Sequence, residues 1–541
     1  VADRLDDASR RALLERFLTD PDGDVFALTG LPEVVKGAVF ARYSRSPSGV
    51  KDLLVDEFAS DLVEEGVAER ADALYARVFG DYGDDSVAQL GGAHVALEGI
   101  SNVATKRIEW GRLAAYLEQS TRYIAYDQRT EGRYRYHRET AIMAGPHAAR
   151  YEEVLDHLFD TYAELLPVVT AWVRHRFPRD EETSERAWNT ATRAKALDLL
   201  RGLLPAATTA NVGMFASGQA YESLLLRLAA DPLAESRDLG ERLLRELRKV
   251  IPSFVTRVDR PDRGHVWRDY LATTRDDTHA LADRHVIGPV READAPVTLV
   301  DWWPRDPVDA EVALVTAALL PHVTLPERQL EEQVRTWPAE QRAEVLRAYV
   351  GERVNRRHRP GRAFERVVYR FDVLGDYGGF RDLQRHRMCT IEWQRLTTEH
   401  GYDTPSELEE AGVAEAWHRA LDRADALHRD LVRDHPEEAQ YVVPFAFRIR
   451  YSVQINARAA MQMLELRSTP QGHPQYRSIV QDMHRAIGEV AGHTAVADAM
   501  VHVDHGVGDL ERLASERALD RRRAERSDDG AGVGPQEQGE H

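Results

Sequence analysis

Cysteine is nearly absent: Cys389 is the one thiol among 541 residues. That excludes a disulfide framework and a thiolate-rich metal site, so no metal is expected and a reducing, cytoplasmic setting is. Long apolar runs are missing too, and no stretch of about eighteen apolar residues appears that could cross a bilayer. The opening VADRLDDASRRALLERFL is acidic and amphipathic, without the basic start and apolar middle of a secretory signal. An excess of positive charge is lacking as well. The net charge of -19 repels nucleic acid and anionic lipid at long range, so neither nucleic acid nor membrane is expected as a partner. Small anions would have to be captured by local arginine clusters.

What is present is length and helix-forming composition. A chain of 541 residues, 43% hydrophobic, exceeds one ordinary core and implies two domains or more. Ala, Leu, Arg and Glu dominate, and segments such as DDASRRALLERFL (6–18), SLLLRLAA (223–230) and GERLLRELRKVI (240–251) place apolar residues at helical spacing. AHVALEGI (93–100), VVYRFDVL (367–374) and RIRYSVQI (448–455) alternate and read as strands. A few strands among long helices predict an α+β fold. Four prolines in GPVREADAPVTLVDWWPRDP (288–307) mark a boundary, which gives domains 1–295 and 296–515. Residues 516–541 are charged, then Gly-rich, and are expected to be a disordered tail.

A faint repeat relates the halves. Residues 99–123 lead to LLPAATTANVGMFASGQAYESLLLR (203–227), as residues 378–402 lead to VVPFAFRIRYSVQINARAAMQMLELR (442–467). Each half has an arginine-bearing segment, a Pro-headed strand and an amphipathic helix.

Four groups carry chemistry. Arg385-His386-Arg387 puts two guanidiniums and an imidazole within one turn, suited to a phosphate or an electron-rich ring, although a solvated basic helix face is the commoner meaning of such a triplet. Asn456-Ala457-Arg458 opens a helix that ends at Arg467, about 13 Å further along; Asn456 also reads simply as an N-cap. Glu118-Gln119-Ser120-Thr121-Arg122-Tyr123 offers a carboxylate, a hydroxyl and a guanidinium, or an ordinary polar helix end. Arg201 stands four residues before Pro205. Cys389 follows Arg387 by two residues, and packing is favoured over reactivity for it.

Taken in order, these motifs resemble the flavin-dependent thymidylate synthase family, which carries RHR, Ser-x-Arg-Tyr, Arg-x-x-x-Pro, Asn-Ala-Arg and Leu-Arg. LEGISNVATKRIEWGRLAAYLEQSTRYI and INARAAMQMLELR carry most of the likeness, and YGDDSVAQ (82–89) precedes the first. In the first half RHR is replaced by Trp110-Gly111-Arg112 and Asn-Ala-Arg by Ser217-Gly218-Gln219. In the second half Ser-x-Arg reads Arg395-Leu396-Thr397, and Gln440 replaces the arginine before Pro444.

The resemblance implies two tandem thymidylate-synthase-complementing-protein-like domains, helix-rich with small antiparallel sheets. It implies FAD as cofactor, NADPH and methylenetetrahydrofolate as co-substrates, and reductive methylation of dUMP to dTMP. It further implies a homodimer that mimics the family tetramer. The nucleotide would be bound by Glu118, Ser120, Arg122, Arg201 and Arg467, with Arg467 also the catalytic candidate. The flavin would be bound by Glu365, Arg385, His386, Arg387, Asn456, Arg458 and Gln462. Two other classes stay open: a related flavoenzyme alkylating another uracil nucleotide, and a non-catalytic paralogue that binds nucleotide or flavin.

Overall fold

The structure is a computed structural model that describes residues 6–44, 46–63, 89–286, 288, 295–506, 508, 510 and 512–531. All but the last residue of YGDDSVAQ therefore lies outside the described residues, as does part of the proline-rich boundary. The fold is α+β, with two small antiparallel sheets among many helices. Among the described residues no helix is long and apolar enough to cross a membrane.

Seven strands are described: β1 (Gly92–Ser101), β2 (Ala114–Glu118), β3 (Thr209–Ser217), β4 (Val297–Trp303), β5 (Val368–Asp376), β6 (Cys389–Trp393) and β7 (Arg448–Asn456). The three segments that alternate in the sequence form β1, β5 and β7. The five-residue β2 and β6 are too short to show a period of two, and β4 hides within the proline-rich stretch read as a boundary.

The sheets repeat one plan. The first has the order β1-β3-β2, and the second the order β4-β5-β7-β6, which is the same arrangement with β4 added at an edge. Register makes the match residue by residue. Ala114 pairs with Ala216, and Cys389 with Ile455, each partner standing one residue before a helix N-cap, Ser217 or Asn456. Trp110-Gly111-Arg112 and Arg385-His386-Arg387 thus occupy the same place ahead of β2 and β6.

Compactness divides the chain into two units. One comprises Val1–Ile100, Arg107–Gln119 and Ala210–Val290; the other comprises Ser101–Lys106, Ser120–Thr209 and Arg291–His541. The last crossing between them falls near the boundary placed at 295/296. Residues 120–209, however, pack with the second unit rather than with the rest of the first half. The cause is local pairing within that unit. The Pro205 segment bridges the Pro444 segment, with Ala206 N donating to Val443 O at 2.9 Å and Phe445 N to Leu204 O at 2.9 Å. Helix Ala148–Arg176 also packs on helices Glu185–Leu200 and Ala414–Asp434. The stretch assigned to a tail from 516 begins inside helix Leu513–Ala531, and residues 532–541 lie outside the described ones.

In the first unit the glycines at the motif-equivalent positions lie against aromatic side chains, while Trp110 and Arg112 are exposed. A Cβ on Gly218 would meet the Phe254 side chain at 2.6 Å, so the Asn-Ala-Arg position holds a glycine because an aromatic ring lies against it. A Cβ on Gly111 would meet the Tyr116 hydroxyl at 2.6 Å, so a histidine there, as at the matching place in the second half, would require the Tyr116 ring to shift. Arg227 lies over the Trp110 ring, 5.1 Å from its centroid.

Candidate functional site

The second unit gathers arginines from both halves of the sequence. Arg122 follows β2 after a short turn, in which its backbone N–H donates to Ser120 Oγ at 3.2 Å. Its guanidinium makes a two-pronged contact with Asp198, Nε to Oδ1 at 2.6 Å and Nη2 to Oδ2 at 2.6 Å, while Nη1 donates to the Tyr476 hydroxyl at 3.4 Å. Asp198 lies near the end of helix Glu185–Leu200, and Arg201 is the C-cap of that helix. Arg201 is buried, with Nη1 3.9 Å from Asp382 Oδ2. Its Nη2 is buried without a hydrogen-bond partner.

Asp382 is the hub of the cluster. It sits in helix Tyr377–Leu383, one turn before Arg385, and accepts from Arg385 Nη2. It also accepts from Arg467 Nη1 at 3.4 Å, and Arg467 lies at the end of helix Ala457–Arg467. Burial alone would raise the Asp382 carboxyl, but Arg385, Arg467, Arg201 and Arg122 together hold it well below the usual carboxylate range. Burial likewise opposes the charge on Asp198, which the neighbouring Arg122 holds low. Four guanidiniums thus face Asp198 and Asp382, with Asp376 a third carboxylate beside Arg201, a local surplus of positive charge in an acidic chain.

His386 completes the cluster. Arg467 Nε donates to His386 Nε2 at 2.9 Å, so the ring accepts there and carries its proton on Nδ1. Burial, followed by Arg467 and Arg385, pushes the imidazole down to about 3, which makes it neutral at physiological pH. His473 caps helix Pro474–Glu489 and sits over the Asp198 carbonyl, with its Nε2 3.4 Å from that oxygen; burial holds it far below its ordinary value. Arg387 points outward and is exposed. Cys389 is buried, its thiol donating to His386 O at 2.6 Å, a packing role.

The other expected residues lie elsewhere. Asn456 caps helix Ala457–Arg467, its Oδ1 accepting from Ala459 N at 2.9 Å. Arg458 donates through Nε to Pro360 O at 3.0 Å and pairs with Glu365 at 3.4 Å. Gln462 accepts from Arg359. Around them runs an exposed basic loop with Arg356, Arg357, Arg359 and Arg362. Glu118 ends β2 in the first unit and is buried there. The geometry therefore groups Arg385 and His386 with Arg122, Arg201 and Arg467 rather than with Arg458 and Glu365.

Four members of the cluster were not foreseen: Asp198, Asp382, His473 and Tyr476. Asp198 and Asp382 each stand three residues before an arginine, the spacing of one helical turn, and that is the signal the sequence carries for them. Gln440, at the place that matches Arg201, instead accepts from Leu396 N at 3.2 Å.

The family model described as thymidylate synthase complementing protein matches residues 33–253 and again 299–492. The chain belongs to this family, in a tandem form, and the family is flavin-dependent in general. A UPF0159 protein of Chlamydia muridarum is 40% identical over 522 residues, covering 94% of this chain and 97% of the relative. UPF0159 protein Ta1429 of Thermoplasma acidophilum is 29% identical over 514 residues, covering 89% of this chain and 97% of the relative. Among solved structures, a UMP/dUMP methylase, PolB from Streptomyces cacaoi bound with 5-Br dUMP, aligns at TM-score 0.30 and 20% identity over 39% of this chain and 96% of that one.

Proposed function

We propose that this chain is a FAD-dependent methyltransferase of the thymidylate synthase type, converting dUMP to dTMP with methylenetetrahydrofolate and NADPH. The observation that supports it most is the meeting of buried Arg122 and Arg201 with half-buried Arg385 and Arg467 in one cluster. These residues come from four separate motifs and both halves of the sequence. An apolar core has no need of four guanidiniums, whereas a nucleotide phosphate does. The unpartnered Nη2 of Arg201 is a donor that a phosphate oxygen would satisfy.

In this reading Asp198 and Asp382 hold the arginines in place before the nucleotide arrives. Ser120 remains a nucleotide-side candidate. Arg467, oriented by neutral His386 and by Asp382, would face the uracil ring and stabilise negative charge that builds on O2 or O4. The cationic set of exposed Arg359 and Arg362 with half-buried Arg458 would suit the dianionic pyrophosphate of FAD, with Arg387, Asn456, Glu365 and Gln462 as further candidate contacts. When bound, FAD would supply the hydride transfer. No enzyme nucleophile is required, in keeping with a thiol tied to a backbone carbonyl. The expected assembly is a homodimer.

The test is product formation. Purified protein with FAD, NADPH and methylenetetrahydrofolate should convert dUMP to dTMP. Conversion of UMP alone would replace the substrate in this reading, and no conversion of either nucleotide would overturn it.

A further inference from the structure

The second family match ends at residue 492, and the chain continues beyond it. Helix Leu513–Ala531 packs on helix Glu185–Leu200, the helix that carries Asp198. Polar contacts fasten it there. Arg517 Nε donates to Thr183 Oγ1 at 2.8 Å, Arg186 pairs with Asp520 and with Glu516 at 3.2 Å, and Gln471 donates to Ser515 Oγ at 2.7 Å.

Arg512 stands immediately before this helix. It is 7% exposed, and its guanidinium lies 3.9 Å from the centroid of the Tyr123 ring. Tyr123 directly follows Arg122. Two of the Arg512 donors, Nε and Nη1, are buried without a hydrogen-bond partner. Burial and the charge of Arg122 work against its protonated form, while Asp198, Tyr123 and Tyr476 favour it. Asp198, however, already receives two hydrogen bonds from Arg122. The aromatic contact accounts for the face of the guanidinium and leaves its edge unsatisfied. A buried cation beside a like charge, with unmet donors, is a costly arrangement that a bound anion relieves.

We propose that Arg512 is an additional anion-binding residue of this site, delivered by a strap outside the family match, and that it takes the phosphate group of the bound nucleotide. The identity of the anion rests on the nucleotide reading above; the presence of an anion subsite does not.

The test uses the full chain and titration calorimetry with dUMP, deoxyuridine and inorganic pyrophosphate, comparing wild type with Arg512→Met and Arg512→Lys. Arg512→Met should weaken dUMP by about tenfold or more, leave deoxyuridine within about twofold, and be partly rescued by Arg512→Lys. The melting temperature without ligand should hold or rise in Arg512→Met, because the stem still covers Tyr123 while the unmet donors are gone. Equal weakening of dUMP and deoxyuridine, together with a lower melting temperature, would make Arg512 a packing residue and overturn the proposal. Unchanged dUMP affinity would overturn it too. If wild type binds pyrophosphate through Arg512 but no uracil nucleotide, the anion subsite stands and the nucleotide reading falls. If it binds none of the three probes, both fall.

Discussion

Arg122 and Asp198 separate what an arginine does for the fold from what it does for a ligand. Replacing Arg122 alone leaves Asp198 buried and unpaired, so Arg122→Leu should lower stability by about 3–5 kcal/mol. The double variant Arg122→Leu with Asp198→Leu removes both charges and should recover most of that loss in urea unfolding, yet bind dUMP as poorly as the single variant. If the double variant binds dUMP normally, Arg122 is structural alone. Asp376 gives a second residue-scale prediction. It caps helix Tyr377–Leu383 with an oxygen 2.5 Å from Gly379 N, and burial lifts its carboxyl to about 6 although Arg201 opposes the rise. A carboxyl raised on folding contributes stability below its unfolded value, near pH 4, and that stability is lost as pH rises through about 6. Asp376→Asn keeps the cap and removes the titration. Its stability relative to wild type should therefore improve between pH 4 and 7.5, by up to about 3 kcal/mol. A difference that does not change with pH would refute this assignment.

At the scale of elements, the helix starts test how far local sequence was enough. Asn456 followed by Ala-Arg after an alternating strand is readable as a cap, and the structure places it so. Asn456→Ala should cost about 1 kcal/mol in urea unfolding, and Asn456→Asp should cost less. Strands β1, β5 and β7 were legible because they are nine or ten residues long and half-buried, with a visible period of two. Strands β2 and β6 were not, because five residues carry no period. The candidate cluster was legible in its arginines and hidden in its carboxylates. Arg385 and Arg467 belong to motifs, whereas Asp198 and Asp382 are common residues on common helices. What distinguishes them is burial beside guanidiniums, which only packing creates. Separating Arg385 and His386 from the nucleotide set followed the motifs alone; the turn after helix Tyr377–Leu383 puts Arg385 on Asp382 and His386 on Arg467.

At the scale of the molecule, duplication let the halves diverge. The two sheets share strand order and register, yet in the first unit Phe254 and Tyr116 lie against Gly218 and Gly111 at the motif positions, and the second keeps the polar cluster. Among the described residues one such arginine cluster is found, so on the proposed reading calorimetry should give one dUMP per chain, and two would contradict it. Residues 120–209 show why sequence order alone did not give the compact units: the Pro205 segment pairs with the Pro444 segment, a contact across more than two hundred residues that no local pattern announces. On the proposed function, this cluster governs flavin chemistry on a uracil nucleotide. The most direct measurement is an anaerobic NADPH titration of the FAD-loaded protein, followed by absorbance, with and without dUMP. The account predicts flavin bands that bleach faster when dUMP is present, and loss of that acceleration in Arg201→Leu. A protein that takes up no FAD, or whose flavin is reduced at the same rate with and without dUMP, would contradict it.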